Sequence, residues 1–173
     1  MTLSRQGRLT VLTTILAIAF AAVVGPANAG GGKDLAEGNG TTPDPNASGT
    51  DFRFAFNAIG DTTSAKGTLR LKNPSTGTQV RGEVICLQTE GPQRAVIAGR
   101  ITSISGPAPY GAPNVEEGDA FLLFAEDNGK NRSESDRLAV FLFLGEPPTT
   151  ELCDADQSGP APITSGHITI RDR

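Results

Sequence analysis

Residues 50–58 read TDFRFAFNA. Phe52, Phe54 and Phe56 fall on one face of an extended chain, and Arg53, Ala55 and Asn57 fall on the other. Successive side chains of a strand point to opposite faces, so three aromatics at period two mark a strand with one buried and one wet face. The alternation recurs in residues 67–72, where Leu69 and Leu71 oppose Thr68, Arg70 and Lys72. It recurs again in residues 165–172, where Ile168 and Ile170 oppose His167, Thr169 and Arg171. Residues 80–87, 95–101, 120–125 and 138–144 are apolar on both faces for part of their length, as strands are when central or covered on both sides. Ser133-Glu134-Ser135-Asp136 resembles a helix capping box before the last of these runs. That run is nevertheless strand length, contains two Phe and a Val, and is stopped by Gly145-Glu146-Pro147-Pro148.

Turn residues separate the runs: Asp61-Thr62-Thr63, Asn73-Pro74-Ser75-Thr76-Gly77, Gly91-Pro92 and Asp127-Asn128-Gly129. Short strands with hairpin-like spacing predict an all-β fold, a mostly antiparallel barrel or sandwich of about seven to eight strands. Gly67, Gly82, Gly99 and Gly166 each precede an aliphatic residue by two positions. Glycine inside a strand marks a bulge, a corner or close backbone approach, which suits a strongly coiled sheet.

The whole chain has 173 residues, with 15 Lys+Arg against 19 Asp+Glu and a net charge of −4. That balance argues against nucleic acid as a partner, since phosphates need a basic face. Gly (21) and Pro (12) are too frequent for a helical bundle. Residues 1–29 read as a secretory signal peptide: Arg5 and Arg8, an apolar run over 9–24, then Ala27-Asn28-Ala29 as the cleavage pattern. The run is shorter than the ~20 residues a membrane span requires, so no transmembrane anchor is expected after cleavage. Cleavage would remove two Arg and no acid, taking the charge to −6. Residues 30–49, GGGKDLAEGNGTTPDPNASG, hold one large apolar residue, Leu35, and read as a flexible spacer. Residues 50–173 then form one domain, in which Leu, Ile, Phe and Val make up 29 of 124 residues, enough for one core.

Gly82-x-Val84-x-Cys86, Ala95-x-Ile97-x-Gly99, Asp127-Asn128-Gly129, Asp136-Arg137, Cys153 and Ile163-x-x-Gly166-x-Ile168-x-Ile170-x-Asp172 follow one another in an order that resembles a group of small secreted all-β proteins of high-GC Gram-positive bacteria. The resemblance covers residues 50–173. It implies export, a β fold and a Cys pair, and it supplies no activity. The group tends to read Gly-Asn-Ile where this chain reads Gly166-His167-Ile168. Cys86 and Cys153 have one possible pairing in an exported domain, which would pin the Pro-rich segment after residue 145 to the sheet.

Residues able to carry chemistry are few. Asp154, Asp156 and Ser158, with Gly159, match the first half of a calcium loop, but position twelve is Ser165 and no helices flank it. Asp127, Asn131, Ser133, Glu134 and Asp136 surround one turn, with Lys130, Arg132 and Arg137 interleaved, the pattern of a solvated rim. His167 is the only imidazole, and no Gly-x-Ser-x-Gly elbow accompanies it. No catalytic residue, metal or cofactor is therefore expected. Residues 105–118 form the longest irregular stretch and carry the only tyrosine, Tyr110. Tyr110, Asp127 and Asn128 are the expected recognition loops, since binding residues concentrate on loops held by a rigid scaffold.

Two functions fit these residues. One is a secreted binding or structural module for an extracellular ligand or cell-envelope component. The other is a small exported barrel enzyme of the isomerase or cyclase type, working with pocket carboxylates. A filled interior would favour the first, and a deep acidic pocket the second.

Overall fold

The computed structural model describes residues 33–43, 51–107, 114–129, 134–143, 145–156 and 159–173. The fold is all-β. Nine strands, β1 (Asp34–Pro43), β2 (Asp51–Gly60), β3 (Ala65–Lys72), β4 (Gln79–Thr89), β5 (Arg94–Ser105), β6 (Ala120–Glu126), β7 (Arg137–Leu142), β8 (Ala161–Pro162) and β9 (Ser165–Arg171), make one antiparallel sheet. Their order is β8-β7-β6-β5-β4-β3-β2-β1-β9, so every neighbouring pair from β1 to β8 is consecutive in sequence. One sheet, curled into a half-barrel, replaces the two sheets of a sandwich. The run over residues 138–144 is a strand, as its length and composition predict.

β8 and β9 stand at opposite ends of the strand order yet are separated by only Ile163 and Thr164. The Ile163 N–H donates to the Asp136 carbonyl at the start of β7 (2.9 Å), and the next N–H, of Thr164, donates to the Thr41 carbonyl on β1 (2.8 Å). The chain thus changes partners between two adjacent residues and draws the sheet's two edges toward each other.

Strand β1 corrects one expectation. Asp34–Pro43, read above as flexible spacer, pairs over its whole length with β2 and over seven residues with β9. Its inward positions are Ala36, Gly38, Gly40 and Thr42, opposite Ala58, Phe56, Phe54 and Phe52. Their smallness answers the bulk beside them: a Cβ on Gly38 would lie 2.7 Å from the Phe56 ring and 3.0 Å from Ile168. Two backbone ladders hold the strand, so it needs little hydrophobicity of its own. The signal peptide expected over 1–29 lies outside the described residues.

The concave face is packed with side chains. Phe52, Phe54, Phe56, Leu69, Leu71, Val80, Ile97, Ile101, Phe121, Leu123, Leu138, Ile168 and Ile170 are all buried in one cluster. Gly82 and Gly99, two of the recurrent glycines, both make room for Phe121: a Cβ on either would lie 2.5 Å from its ring. The close-approach reading of these glycines holds.

A second, smaller core lies outside the curl. Cys86, Val96, Ala98, Leu122 and Phe124 point outward from β4, β5 and β6 and are covered by the 3-10 turn Thr150–Asp154, which carries Cys153. The Cys86–Cys153 disulfide is present, with Cα atoms 6.2 Å apart. A bulge makes it possible. Val84 pairs with Gly99 and Cys86 with the adjacent Ala98, leaving Ile85 as an extra residue in β4. In regular alternation Cys86, two residues on, would share the inner face of Val84; the bulge instead turns Cys86 outward and Leu87 inward.

Candidate functional site

Below β8 the edges of the curled sheet part, and β9 runs alongside the loop joining β6 to β7. One edge of β9 is occupied by β1, so the N–H groups of Ile168 and Ile170 face this seam. Two carboxylates meet them. Asp136 Oδ2 accepts from Ile168 N (2.7 Å), and Asp127 Oδ2 accepts from Ile170 N (3.2 Å). The other oxygens hold the loop itself: Asp136 Oδ1 accepts from Asn128 N and Asp127 Oδ1 from Gly129 N, both at 2.8 Å. Asn128 Nδ2 donates to the Ser135 carbonyl at 2.8 Å, tying the two arms together. The carboxylates do what the carbonyls of a missing strand would do, and N–H bonds to charged acceptors are stronger than those to neutral ones. The Asp127 and Asp136 side chains, read above as part of a solvated rim, are in fact engaged with backbone.

Beside this seam lies an open groove of about 650 Å³, lined by Asp127, Glu134, Ser135 and Asp136 on one side and by residues 163–169 and Arg171 on the other. His167 and Glu134 are exposed on it. His167 sits in register with Asn39 of β1, and Thr169 with Glu37, so the groove wall continues onto the outer face of β1. Gly166, with φ +104°, places the backbone where β9 leaves the Ile163–Thr164 handover. The groove holds the chain's only imidazole, three carboxylates and the hydroxyls of Thr164, Ser165 and Thr169.

The expected site residues are thus only partly brought together. Asp127 and Asn128 stand at the seam. Tyr110 falls in residues 108–113, outside the described residues. What is described of its loop is anchored: Thr78 Oγ1 donates to the Pro107 carbonyl (2.8 Å), and the buried Asp119 carboxylate accepts from the N–H groups of Glu116 and Gly145. Asp154 ends the 3-10 turn and Asp156 follows it, both exposed, while Ser158 is outside the described residues. Among the described residues no group of three or more His, Cys, Asp or Glu is placed to hold a metal ion. One carboxyl is held below its ordinary range: Asp61 accepts from the Thr63 hydroxyl and from the N–H groups of Thr63 and Ser64, which stabilise the anion at the β2–β3 turn.

No family model matches the chain, and neither a curated protein nor a solved structure matches it.

Proposed function

We propose that the chain is an exported binding module that acts without turnover, taking an extracellular ligand or cell-envelope component in the seam groove. The observation that carries this reading is the occupation of the acids: the four oxygens of Asp127 and Asp136 each accept a backbone N–H. They build the groove's wall. The packed concave face supports the same reading, since the aromatics fill the space that an enclosed active site would use. The closed Cys86–Cys153 pair suits an oxidising compartment. No helix among the described residues is long and apolar enough to cross a membrane.

The groove presents donors and acceptors without a large apolar patch, a lining suited to a polar ligand such as a glycan or an extended peptide. Screening the purified protein on glycan and peptide arrays tests this. Binding that weakens tenfold or more in Thr169→Lys, with the unfolding temperature kept, supports the seam groove. The second reading, a small enzyme, rests on Glu134 and His167 lining the same groove. Isomerase or hydrolase turnover abolished by His167→Ala or Glu134→Gln would establish it and overturn the first. N-terminal sequencing of the exported protein should give Gly30.

A further inference from the structure

The outer face of β2, β3 and β4 carries five cations in a net acidic chain, Arg53, Lys66, Arg70, Lys72 and Arg81, and all but Lys66 cluster. Arg53 is in register with Lys72, and Arg70 with Arg81. These four are exposed, and they wall a basin of about 210 Å³ whose floor is the small Ala55. Like charges directly opposite one another destabilise an antiparallel pair, and here two such pairs lie on adjacent rows. Their own sheet does not neutralise them: the ion pair found among the described residues is Arg94–Glu126, elsewhere on the molecule. The acids nearest along the strands are Asp51, whose carboxylate accepts from the Thr164 hydroxyl, and Glu83, which faces Arg100 in register.

The geometry points to an anion-binding site on this face, and the occupant that fits is a linear anionic polysaccharide bearing sulfate or phosphate esters. Charge complementarity is the first argument: cross-strand neighbours stand about 5 Å apart, so four cations make a short track for successive anionic groups. The flanks are the second. Asn39 on one side, and Gln79, Ser103 and Ser105 on the other, continue the same two rows and offer amides and hydroxyls to sugar hydroxyls. Single-stranded nucleic acid is disfavoured because no aromatic lies on this face for bases to stack on: Phe52, Phe54 and Phe56 are buried beneath it. An anionic membrane is disfavoured because a convex wall flanked by Asp51 and Glu83 meets a plane along a narrow strip only. None of the four cations lines the seam groove, so their variants test this face separately from the function proposed there.

The test uses the purified protein with dextran sulfate as probe and neutral dextran as control, at low and at physiological salt. Dextran sulfate should bind, neutral dextran should not, and affinity should fall as salt rises. The double variant Arg70→Glu/Arg81→Glu should weaken binding at least tenfold. Arg53→Gln/Lys72→Gln should weaken it by a smaller factor, and Lys66→Gln, on the same face of β3 but outside the basin, should change it by less than about twofold at physiological salt. Circular dichroism and thermal unfolding of each variant show that the fold is kept. Unchanged affinity in both double variants, absence of dextran sulfate binding, or stronger binding of a thymidine oligonucleotide or of phosphatidylglycerol vesicles would each overturn the assignment.

Discussion

Replacing Asp136 with Ala should unlatch the seam. The carboxylate accepts from Ile168 N at 2.7 Å and from Asn128 N at 2.8 Å, and the residue is half-buried. Hydrogen bonds to a charged acceptor contribute about 1.5 kcal/mol each at the low end of their range, so losing two costs about 3 kcal/mol. For a domain of this size each kcal/mol shifts the unfolding midpoint by about 3–4 °C, so Asp136→Ala should unfold roughly 10 °C below the parent. Asp136→Asn keeps one acceptor but turns an NH2 group toward an N–H donor, and should lose about half to all of that amount. The control is His167→Ala, on the same strand but exposed, which should stay within about 0.5 kcal/mol of the parent. Thermal unfolding followed by circular dichroism measures the midpoints. Amide hydrogen exchange adds a local reading: the Ile168 N–H, protected in the parent, should exchange faster in Asp136→Ala, while Leu69 in the packed sheet follows global stability only. If Asp136→Ala and His167→Ala unfold within 2–3 °C of one another, or Ile168 keeps its protection, the carboxylate does not close the seam.

Three further outcomes follow from the same structure. The disulfide closes a loop of 67 residues, so Cys86→Ser/Cys153→Ser should lose about 4 kcal/mol by loop entropy in urea unfolding, and the native unreduced protein should titrate no free thiol. Gly38→Val places a branched side chain against Phe56 and Ile168, and overpacking of this kind costs about 1–3 kcal/mol, whereas Asn39→Val on the outer face should be nearly neutral; calorimetry separates them. Asp61 is held below its ordinary pKa, chiefly by the Thr63 hydroxyl, so its anchoring of the β2–β3 turn is complete above the unfolded value of about 3.9 and fades as the pH falls below it. The midpoint gap between the parent and Asp61→Asn should therefore be present at pH 7 and shrink towards pH 3.

The strands with large alternating side chains were legible because burial of Phe52, Phe54 and Phe56, or of Leu69 and Leu71, is written in the same residues that form the strand. β1 was not, because its inward residues are small, and their fitness lies in the Phe side chains of another strand. Only the alternation Ala36-x-Gly38-x-Gly40-x-Thr42, set against the Phe positions of β2, carried a trace of it. The outward turn of Cys86 was likewise hidden, since a bulge at Ile85 is fixed by pairing with β5 rather than by local composition. The seam was half legible. Asp127 and Asn128 were singled out as loop residues, but the role of Asp127 and Asp136 depends on N–H groups 43 and 32 residues away in sequence. No pattern of charge along the chain encodes that relation. The basic basin is of the same kind: Arg53, Arg70, Lys72 and Arg81 look like scattered surface charges until register sets them side by side.

The pairing of β1 with β9 also has a kinetic consequence. Residues 35–41 find their partners at 165–171, across nearly the whole of the described chain. Non-local pairing of this kind raises contact order and slows folding, towards milliseconds to seconds for all-β topologies. The consecutive hairpins from β2 to β7 can zip up locally, but β1 acquires its second ladder, and the sheet its closure, only when residues 163–171 arrive. A chain emerging from a narrow channel N-terminus first would therefore stay open, with β1 bound on one side, until that last segment was through, and the two carboxylates at the seam would be the final latch to engage.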